Sequence, residues 1–222
     1  MSETITSPGE EYLKPTFFID SDNPEVIAFA KLHTQGKVSD TEKAIALFYA
    51  VRDEFKYDPY HVDLKADMLK ASVLLKNGYG YCVEKANLLA ACARAAGIPS
   101  RLGFANVKNH LSTDKLVKIL RSDVFVFHGY AELWLNGKWV KASPAFNIQL
   151  CERFGVPATE FNGVDDAIFQ QYDANGNLFM EYVKDHGSFT DLPRDLFIFE
   201  LKQFYPHLFA GLELDGIVYK WE

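Results

Sequence analysis

Hydrophobic side chains recur at helical spacing along the first half of the chain. Over residues 40–55 they return every three or four positions, and Ser39 with Glu42 three residues later has the sequence of a capping box. A shorter helix is predicted over residues 24–33, where Asn23 can cap the first turn and a proline begins it. The pattern predicts a helical N-terminal part of the protein.

A further helix is predicted from Cys82 to Ala96, with Gly97 as its left-handed stop. Small and apolar residues occur on every side of it, so it is predicted to be buried nearly all round. The helix follows the sequence Gly78-Tyr79-Gly80-Tyr81. Two glycines in such a loop lower stability through lost conformational entropy, so they suggest a place where the backbone must come near a ligand. A thiol at the start of a helix meets unpaired N–H groups and the positive end of the helix dipole, which favour the thiolate. Cys82 is therefore a candidate nucleophile.

The hydrophobic period changes to that of β-strands after this helix. Strands are predicted over residues 101–107, 124–135 and 138–142, and Asn136-Gly137 between the last two is a strong two-residue hairpin signal. From Pro144 onward the chain is predicted to be rich in loops. The pattern predicts an α+β fold in which a central cysteine helix packs on an antiparallel β-sheet.

One domain is predicted to span residues 1–222, because the sequence contains no repeat and no linker that would divide it. A chain of this length can bury a substantial core. Within the domain, residues 1–38 are assigned to an N-terminal arm and helix, residues 39–150 to a catalytic core and residues 151–222 to a loop-rich C-terminal extension.

Composition narrows the classes of function. The 30 acidic residues outnumber the 23 basic ones and give a net charge of -7, which argues against nucleic acid or an anionic membrane as the main partner. No apolar run reaches the length of a membrane span, and the polar N-terminus lacks the pattern of a secretory signal. Cys92 and Cys151 are predicted to be buried and to behave as small hydrophobic residues. No disulfide framework is expected, which indicates a reducing compartment, so a cytoplasmic location is predicted. No His/Cys cluster has metal-ligand spacing, so no metal and no cofactor is predicted.

The two-residue turn fixes the register of the predicted hairpin. Counting back from the turn, Trp134 faces Trp139 and Glu132 faces Lys141. This register stacks two rings and places opposite charges side by side, which supports it.

Continued further, the same register gives His128 a face of the sheet that it shares with Ser143 and Asn147. His128 is thus a candidate general base, and the other two are candidates to orient its ring. His186, next to Asp185, is a rival base on sequence grounds alone.

These residues carry a resemblance to a known family. Residues 80–101, which include Gly-Tyr-Cys-Val-Glu-Lys-Ala, resemble the core signature of the transglutaminase-like superfamily. Residues 128–144, which begin His-Gly-Tyr-Ala-Glu-Leu-Trp, resemble its second signature. The resemblance covers about residues 40–150 and implies a papain-like fold. It also implies a cysteine nucleophile, a histidine base and an aspartate on the next strand that orients the histidine.

Cys82 and His128 match the positions that the family uses. Ser143 stands where the aspartate usually lies, and a serine brings no charge to stabilise an imidazolium. Asn147 offers a papain-like alternative, and Asp165-Asp166 could reach in from the loop region. The identity of the third catalytic residue therefore stays open.

The chemistry that the resemblance implies is acyl transfer. The thiolate of Cys82 attacks a carboxamide or peptide carbonyl, His128 protonates the leaving amine, and water or an amine resolves the thioester. The oxyanion would lie at the Cys82 N–H, with a second donor from Lys76, Asn77 or a tyrosine of the preceding loop. The candidates for lining the substrate cleft are Asn77, Tyr79, Tyr81 and Tyr130.

The predicted function is thiol-dependent acyl transfer or hydrolysis on a peptide, a protein or a small amide, including glutamine-type amides. Two alternatives stay open. A degenerate member that only binds a peptide would account for the missing aspartate. An enzyme that exchanges amides on a small molecule would need a closed pocket, for which the C-terminal third could form the lid. The sequence leaves the oligomeric state open.

Overall fold

The computed structural model describes residues 7–110, 113–169 and 179–210, together with the backbone of residues 218–220. The helices are α1 (Pro24–Thr34), α2 (Asp40–Glu54), α3 (Ala71–Asn77), α4 (Cys82–Ala95), α5 (Asp114–Leu120), α6 (Ile148–Phe154) and α7 (Arg194–Phe204). The strands are β1 (Lys56–Tyr57), β2 (His61–Asp63), β3 (Tyr79–Gly80), β4 (Ser100–Asn109), β5 (Val124–Leu135), β6 (Lys138–Ala142), β7 (Met180–Phe189) and β8 (Val218–Lys220). Among the described residues, no helix is long and apolar enough to cross a lipid bilayer.

The caps predicted for the N-terminal helices are present. Ser39 Oγ accepts the Glu42 N–H at 3.2 Å, and Glu42 Oε2 accepts the Ser39 N–H at 2.9 Å. Asn23 Oδ1 accepts the Glu25 N–H at 2.9 Å at the start of α1. Because these bonds satisfy backbone donors that lack helical partners, local sequence alone determines where α1 and α2 begin.

An antiparallel sheet with the strand order β6-β5-β4-β7 forms one layer of the protein. The predicted hairpin is confirmed, since β5 and β6 pair Trp134 with Trp139 and Glu132 with Lys141. The two indole rings meet edge to face with centroids 5.4 Å apart. The hairpin therefore holds the register that the turn residues predicted.

The hairpin pairing ends earlier than predicted. The last pair joins Ala131 to Ala142, and the chain then turns away from β5. The N–H of Ser143 donates instead to the carbonyl of Ala167 at 2.8 Å. Residues beyond Ala142 are consequently positioned by the loop that carries Ala167 and not by the sheet.

Strand β7 lies on the outer edge of the sheet beside β4, and the hydrophobic pattern does not predict it. Met180 is buried, but the residues that follow are mostly exposed and polar or charged. An edge strand needs no apolar alternation, and charges on an edge discourage pairing with other chains. Together with α7, β7 adds regular structure to residues 151–222, which the sequence predicts to be a loop-rich extension.

Helix α4 forms the centre of the protein, as predicted. Every residue from Cys82 to Arg94 is buried, and the helix contacts α1, α2 and α3 as well as β4 and β5. Alanines at positions such as Ala86, Ala90 and Ala93 are fully buried and let neighbouring elements pack closely. The fold is thus a mixed helix and antiparallel-sheet arrangement built around the cysteine helix.

Two buried cations of α4 bind backbone carbonyl groups. Lys85 Nζ donates to two carbonyls at the C-terminal end of α2, each at 2.8 Å. The Arg94 guanidinium donates to the carbonyls of Lys14, Ser100 and Thr190. Arg94 therefore ties the N-terminal arm, β4 and the segment before α7 to the central helix.

Candidate active site

Cys82 is the first residue of α4. The preceding Tyr81 is extended, and its N–H donates to Glu84 Oε2 at 3.0 Å. Gly78 takes a φ of 72° where α3 ends, and a Cβ on Gly80 would lie 2.7 Å from the Glu84 carboxylate. Packing and turn geometry account for both glycines without the approach to a ligand that the sequence suggested.

Strand β5 meets the start of α4 at Gly129. A Cβ on this residue would lie 3.0 Å from the Cα of Val83, so the approach requires glycine. Backbone N–H groups of Gly129, Val83 and Cys82 itself favour the thiolate form of Cys82. The backbone at the start of α4 thus lies against Gly129, the residue after His128, and Cys82 and His128 line the same cavity.

His128 is buried, with 4% of its surface exposed. Its Nε2 lies 3.3 Å from Ser143 Oγ, and its ring packs against Phe169 with centroids 4.8 Å apart. The structure therefore places Ser143 beside the imidazole, although the loop after β6 does this and not the continued ladder. Phe169 fixes the ring from another side and was not among the predicted site residues.

The residue before His128 has a strained backbone. Phe127 has a φ of 61°, a conformation that a bulky side chain rarely adopts. The β4–β5 register shifts at this point, and Asn106 Oδ1 accepts the Phe127 N–H at 3.0 Å. The Phe127 ring also stacks on Phe104 at 4.4 Å. A β-bulge, a buried hydrogen bond and a ring stack together stabilise the strained backbone of Phe127, which sets the orientation of His128.

Burial determines the protonation states of the two candidate catalytic residues. Burial raises the pKa of Cys82 to about 11, although three backbone N–H groups act in the opposite direction. Burial also lowers the pKa of His128 to about 3. At neutral pH the resting pair is thiol and neutral imidazole, so the predicted resting thiolate is wrong. Desolvation of a buried charge outweighs the stabilisation that a helix start offers.

Cys82 and His128 line a cavity of about 470 Å³. Tyr81 lines it too, and its Oη is buried without a hydrogen-bond partner among the described residues. An unpaired buried hydroxyl costs about 1–3 kcal/mol. Tyr81 therefore carries an unused hydrogen-bond donor one residue before the candidate nucleophile.

Asn147 does not orient His128, contrary to one of the predicted alternatives. Its Oδ1 accepts the Tyr57 N–H at 3.1 Å, and its Nδ2 donates to Gln149 Oε1 at 2.7 Å. The prediction assumed that the sheet pairing continues past Ala142, and the ladder stops there. Asn147 instead connects the start of α6 to β1.

The other predicted cleft residues lie outside the cavity that contains Cys82. Asn77 ends α3 and is exposed, and Tyr79 packs its ring against His61 at 5.6 Å. Tyr130 lines a second, smaller cavity of about 230 Å³ together with Lys141. Of the four predicted cleft residues, Tyr81 is therefore the one placed beside the nucleophile.

The rival acids and bases are used elsewhere in the fold. His186 Nε2 lies 2.8 Å from Asn106 Oδ1, and neither atom belongs to the cavity wall. Asp165 accepts from a side-chain amide three residues before it, and Asp166 accepts from a backbone N–H of β6. Within the described part of the chain, no group of three or more His, Cys, Asp or Glu side chains is placed to hold a metal ion.

Phe169 and the C-terminal side of the cavity were missed from the sequence. Phe169 packs on His128 and also on Phe146, with centroids 4.5 Å apart. It lies in a segment with no periodic pattern, so its only sequence signal is the high aromatic content of this region. Such a residue becomes visible only when the loop that carries it is placed.

Glu84 makes the stability of the fold depend on pH. Burial raises the pKa of Glu84 from 4.5 to about 8. Between these two values the unfolded chain loses a proton that the folded chain keeps, so the free energy of unfolding falls as pH rises and levels off above about pH 8. Glu84→Gln cannot ionise and keeps an acceptor for the Tyr81 N–H. We expect it to be more stable than the native protein by a few kcal/mol at pH 8.5 and about equally stable near pH 4.5.

Urea denaturation at the two pH values measures this difference. Glu42→Gln is the matched control, because Glu42 caps α2 in the same way but is exposed, and hydrogen bonds from Ser39 lower its pKa. Because its pKa is lowered from 4.5, the pH dependence of Glu42 lies below that value, so the stability of Glu42→Gln relative to the native protein should be nearly the same at both pH values. An equal gain for Glu84→Gln at both pH values would contradict the assignment.

The arrangement places a cysteine at the start of a buried helix, a histidine on the adjoining strand and an antiparallel sheet around them. This is the fold of cysteine-dependent hydrolases and acyltransferases. Residues 27–144 match the family described as the transglutaminase-like superfamily. The chain belongs to that superfamily.

Solved structures with a related fold share little sequence with the chain. It is 16% identical to a "Putative Cysteine Protease" from Cytophaga hutchinsonii, with a TM-score of 0.49 over 83% of this chain and 56% of that one. It is 21% identical to the periplasmic domain of TgpA from Pseudomonas aeruginosa, with a TM-score of 0.40 over 55% of this chain and 42% of that one. The chain thus corresponds to about half the length of these proteins. A comparison with curated proteins found no match.

Proposed function

We propose that this protein is a thiol-dependent enzyme that hydrolyses amides, or transfers their acyl groups, through a thioester on Cys82. The observation that supports this proposal is that Cys82 and His128 lie in one cavity wall. Gly129, the residue after His128, packs against the backbone of Cys82 and Val83. Membership of the transglutaminase-like superfamily supports peptide or glutamine-type amides as substrates.

In the proposed reaction Cys82 and His128, the catalytic dyad, begin as a pair of uncharged side chains. As the Cys82 sulfur attacks the amide carbonyl, His128 Nδ1 accepts the thiol proton, because Nε2 is held by Ser143. The proton then passes to the amine nitrogen as the carbon–nitrogen bond breaks, which leaves the acyl group on the sulfur. Water, deprotonated by His128, or a second amine attacks the thioester and restores the thiol.

Two donors, one on Cys82 and one on the preceding Tyr81, can stabilise the negative charge on the carbonyl oxygen during attack. The backbone N–H of Cys82 is in the first turn of α4, where N–H groups have no acceptor within the helix. Tyr81 Oη is the second donor, because it is unpaired and belongs to a residue of the same wall, and it has to turn from its buried position to reach the substrate. A pair of donors of this kind is the usual device for stabilising an oxyanion.

Selective labelling of the three cysteines tests the dyad. At pH 7, iodoacetamide should modify Cys82 at least tenfold faster than Cys151, and His128→Ala should slow labelling of Cys82 by about 10²-fold or more. The reason is that imidazole can accept the thiol proton of Cys82 during attack, which compensates for its raised pKa. Mass spectrometry of the native protein, digested after timed exposure, gives the rate at each cysteine.

Cys151 is the internal control, because it is buried in the wall of the same cavity and burial raises its pKa too. Its rate should not change in the His128→Ala variant. Equal rates at Cys82 and Cys151, or a rate at Cys82 that His128→Ala leaves unchanged, would overturn the assignment of His128 as the base.

A binding module without catalysis is the second candidate function. Ser143 in the place of the family's aspartate favours it, since the imidazolium then has no charged partner. A binding module would retain its affinity for an amide ligand in Cys82→Ala, and the native protein would release no amine from that ligand. Release of amine by the native protein would show that the protein is an enzyme and would exclude a function in binding alone.

A further inference from the structure

The cavity beside Cys82 extends well beyond the dyad and is mostly apolar. At about 470 Å³ it has the size of a small-ligand pocket, roughly the volume of fifteen water molecules at ~30 Å³ each. Its walls come from the segment after α2, from β5 and from α5, α6 and α7. The apolar side chains that line it include Val62, Leu116, Phe125, Leu150, Leu201 and Phe209.

Several polar groups of this wall bond within the protein, whereas the Tyr57 hydroxyl and the exposed Arg153 guanidinium have no partner among the described residues. Tyr60 Oη and Thr113 Oγ1 share a hydrogen bond of 2.8 Å, and Tyr205 Oη donates to the Val124 carbonyl at 2.6 Å. Among the buried side-chain atoms of the described wall, Tyr81 Oη is the one without a partner. A bound peptide would need partners for its own amide groups along its length. The wall away from the dyad is better matched to a substrate part without hydrogen-bonding groups.

The course of the proposed reaction indicates which part of the substrate this is. After the first step the acyl group stays attached to Cys82, whereas the amine has to leave and be replaced by water or another amine. A pocket lined by three helices suits the part that stays. The leaving part needs a route to solvent.

We propose that the cavity binds an aliphatic acyl chain of medium length, attached to the carbonyl carbon that Cys82 attacks. The inference rests on the proposed function and specifies its substrate as an N-acyl amide. The sulfur adds to the acyl carbon, the carbon–nitrogen bond breaks, the amine leaves with the thiol proton, and water releases the fatty acid and restores the thiol. The acyl chain contacts mainly apolar side chains of the wall, while the dyad contacts its carbonyl group.

A series of anilides tests the chain-length dependence. Acetyl, butanoyl and octanoyl amides of 4-nitroaniline have the same leaving amine, so kcat/KM from nitroaniline release reports the acyl part alone. Each buried methylene is worth about fourfold in binding. We expect kcat/KM to rise by at least about 10²-fold from acetyl to octanoyl. Acetylated octylamine places the chain on the leaving side, and we expect it to bind no better than acetylated ethylamine.

Two substitutions fill the cavity from opposite helices. Leu116→Trp enlarges a side chain of α5, and Cys151→Phe enlarges one of α6. At least one of them should lower the octanoyl-to-acetyl ratio of kcat/KM by tenfold or more. Leu32→Trp is the control, because Leu32 is on α1, is 66% exposed and lies outside the cavity wall. It should leave the ratio unchanged.

Binding to Cys82→Ala separates this inference from the proposed function. Calorimetric titration should detect octanamide and not acetamide at the same concentration. If acyl transfer occurs but acetyl and octanoyl substrates react equally, the acyl-chain inference is overturned and the proposed function stands. If no anilide acylates Cys82 while octanamide still binds selectively, the proposed function fails and the apolar pocket stands. If octanamide also binds no better than acetamide, both fail.

Discussion

Cys82→Ala is expected to reduce amide turnover to the background rate, and His128→Ala is expected to reduce it by about 10²- to 10⁴-fold. The difference follows from their roles, because no thioester forms without the sulfur, whereas a thiol without its base still reacts slowly. The double variant should be no slower than Cys82→Ala, since groups that act as a unit have non-additive effects. Release of nitroaniline from an N-acyl nitroanilide measures all three variants.

Ser143→Ala provides the comparison for this prediction. The Ser143 Oγ to His128 Nε2 contact of 3.3 Å is between neutral groups and is worth about 0.5–1.5 kcal/mol, so its loss should cost about two- to tenfold. With a pKa of about 11 for Cys82 and about 3 for His128, kcat/KM should also stay level across the neutral range. A loss with Ser143→Ala as large as that with His128→Ala, or turnover that survives in Cys82→Ala, would refute the assigned roles.

The sequence was sufficient for the parts of the fold that local rules determine. Helix caps, the cysteine helix and the Asn136-Gly137 hairpin each depend on residues within a few positions, and the structure confirms them. Strand β7 depends on a distant partner, because it pairs with β4 more than seventy residues earlier. Its exposed, charged side chains carry no alternating pattern, so local rules do not reveal it.

In the candidate site, too, the features set by nearby residues were predicted and those set by distant contacts were not. Cys82 and His128 were located by pattern and register, and the structure places them in one cavity wall. The extension of that register to Asn147 was wrong, because a contact with Ala167 takes the chain away from the sheet after Ala142. The protonation state was also wrong, since a sequence shows the helix start but not the depth of burial that opposes it.

The surroundings of His128 are uncharged, in agreement with the mostly apolar cavity that it lines. Burial lowers the pKa of His128, and the hydroxyl of Ser143 adds no charge that would raise it. A neutral dyad leaves no resting ion pair to be solvated, so it is compatible with an apolar cavity. Charge then develops only during attack, which makes donors to the carbonyl oxygen more important than they would be beside a preformed thiolate.

Tyr81→Phe should therefore lower activity and raise stability at the same time. Removing a donor to the oxyanion is expected to reduce kcat by about 10²-fold. Removing a buried hydroxyl that has no partner in the protein should raise the free energy of unfolding by about 1 kcal/mol or more. Paired measurements of nitroanilide turnover and urea denaturation on the same variant give both quantities.

Tyr205→Phe is the matched control, because Tyr205 lines the same cavity with its hydroxyl fully paired. Its Oη donates to the Val124 carbonyl at 2.6 Å and accepts the Val126 N–H at 2.9 Å. Its removal leaves two buried backbone groups unpaired and should lower stability by about 1–3 kcal/mol. If Tyr81→Phe instead loses stability as Tyr205→Phe does and keeps the native kcat, the Tyr81 hydroxyl is structural. Its assignment as a donor to the oxyanion would then be wrong. Opposite signs of the stability change at these two tyrosines would show that the Tyr81 hydroxyl is held unpaired for the substrate.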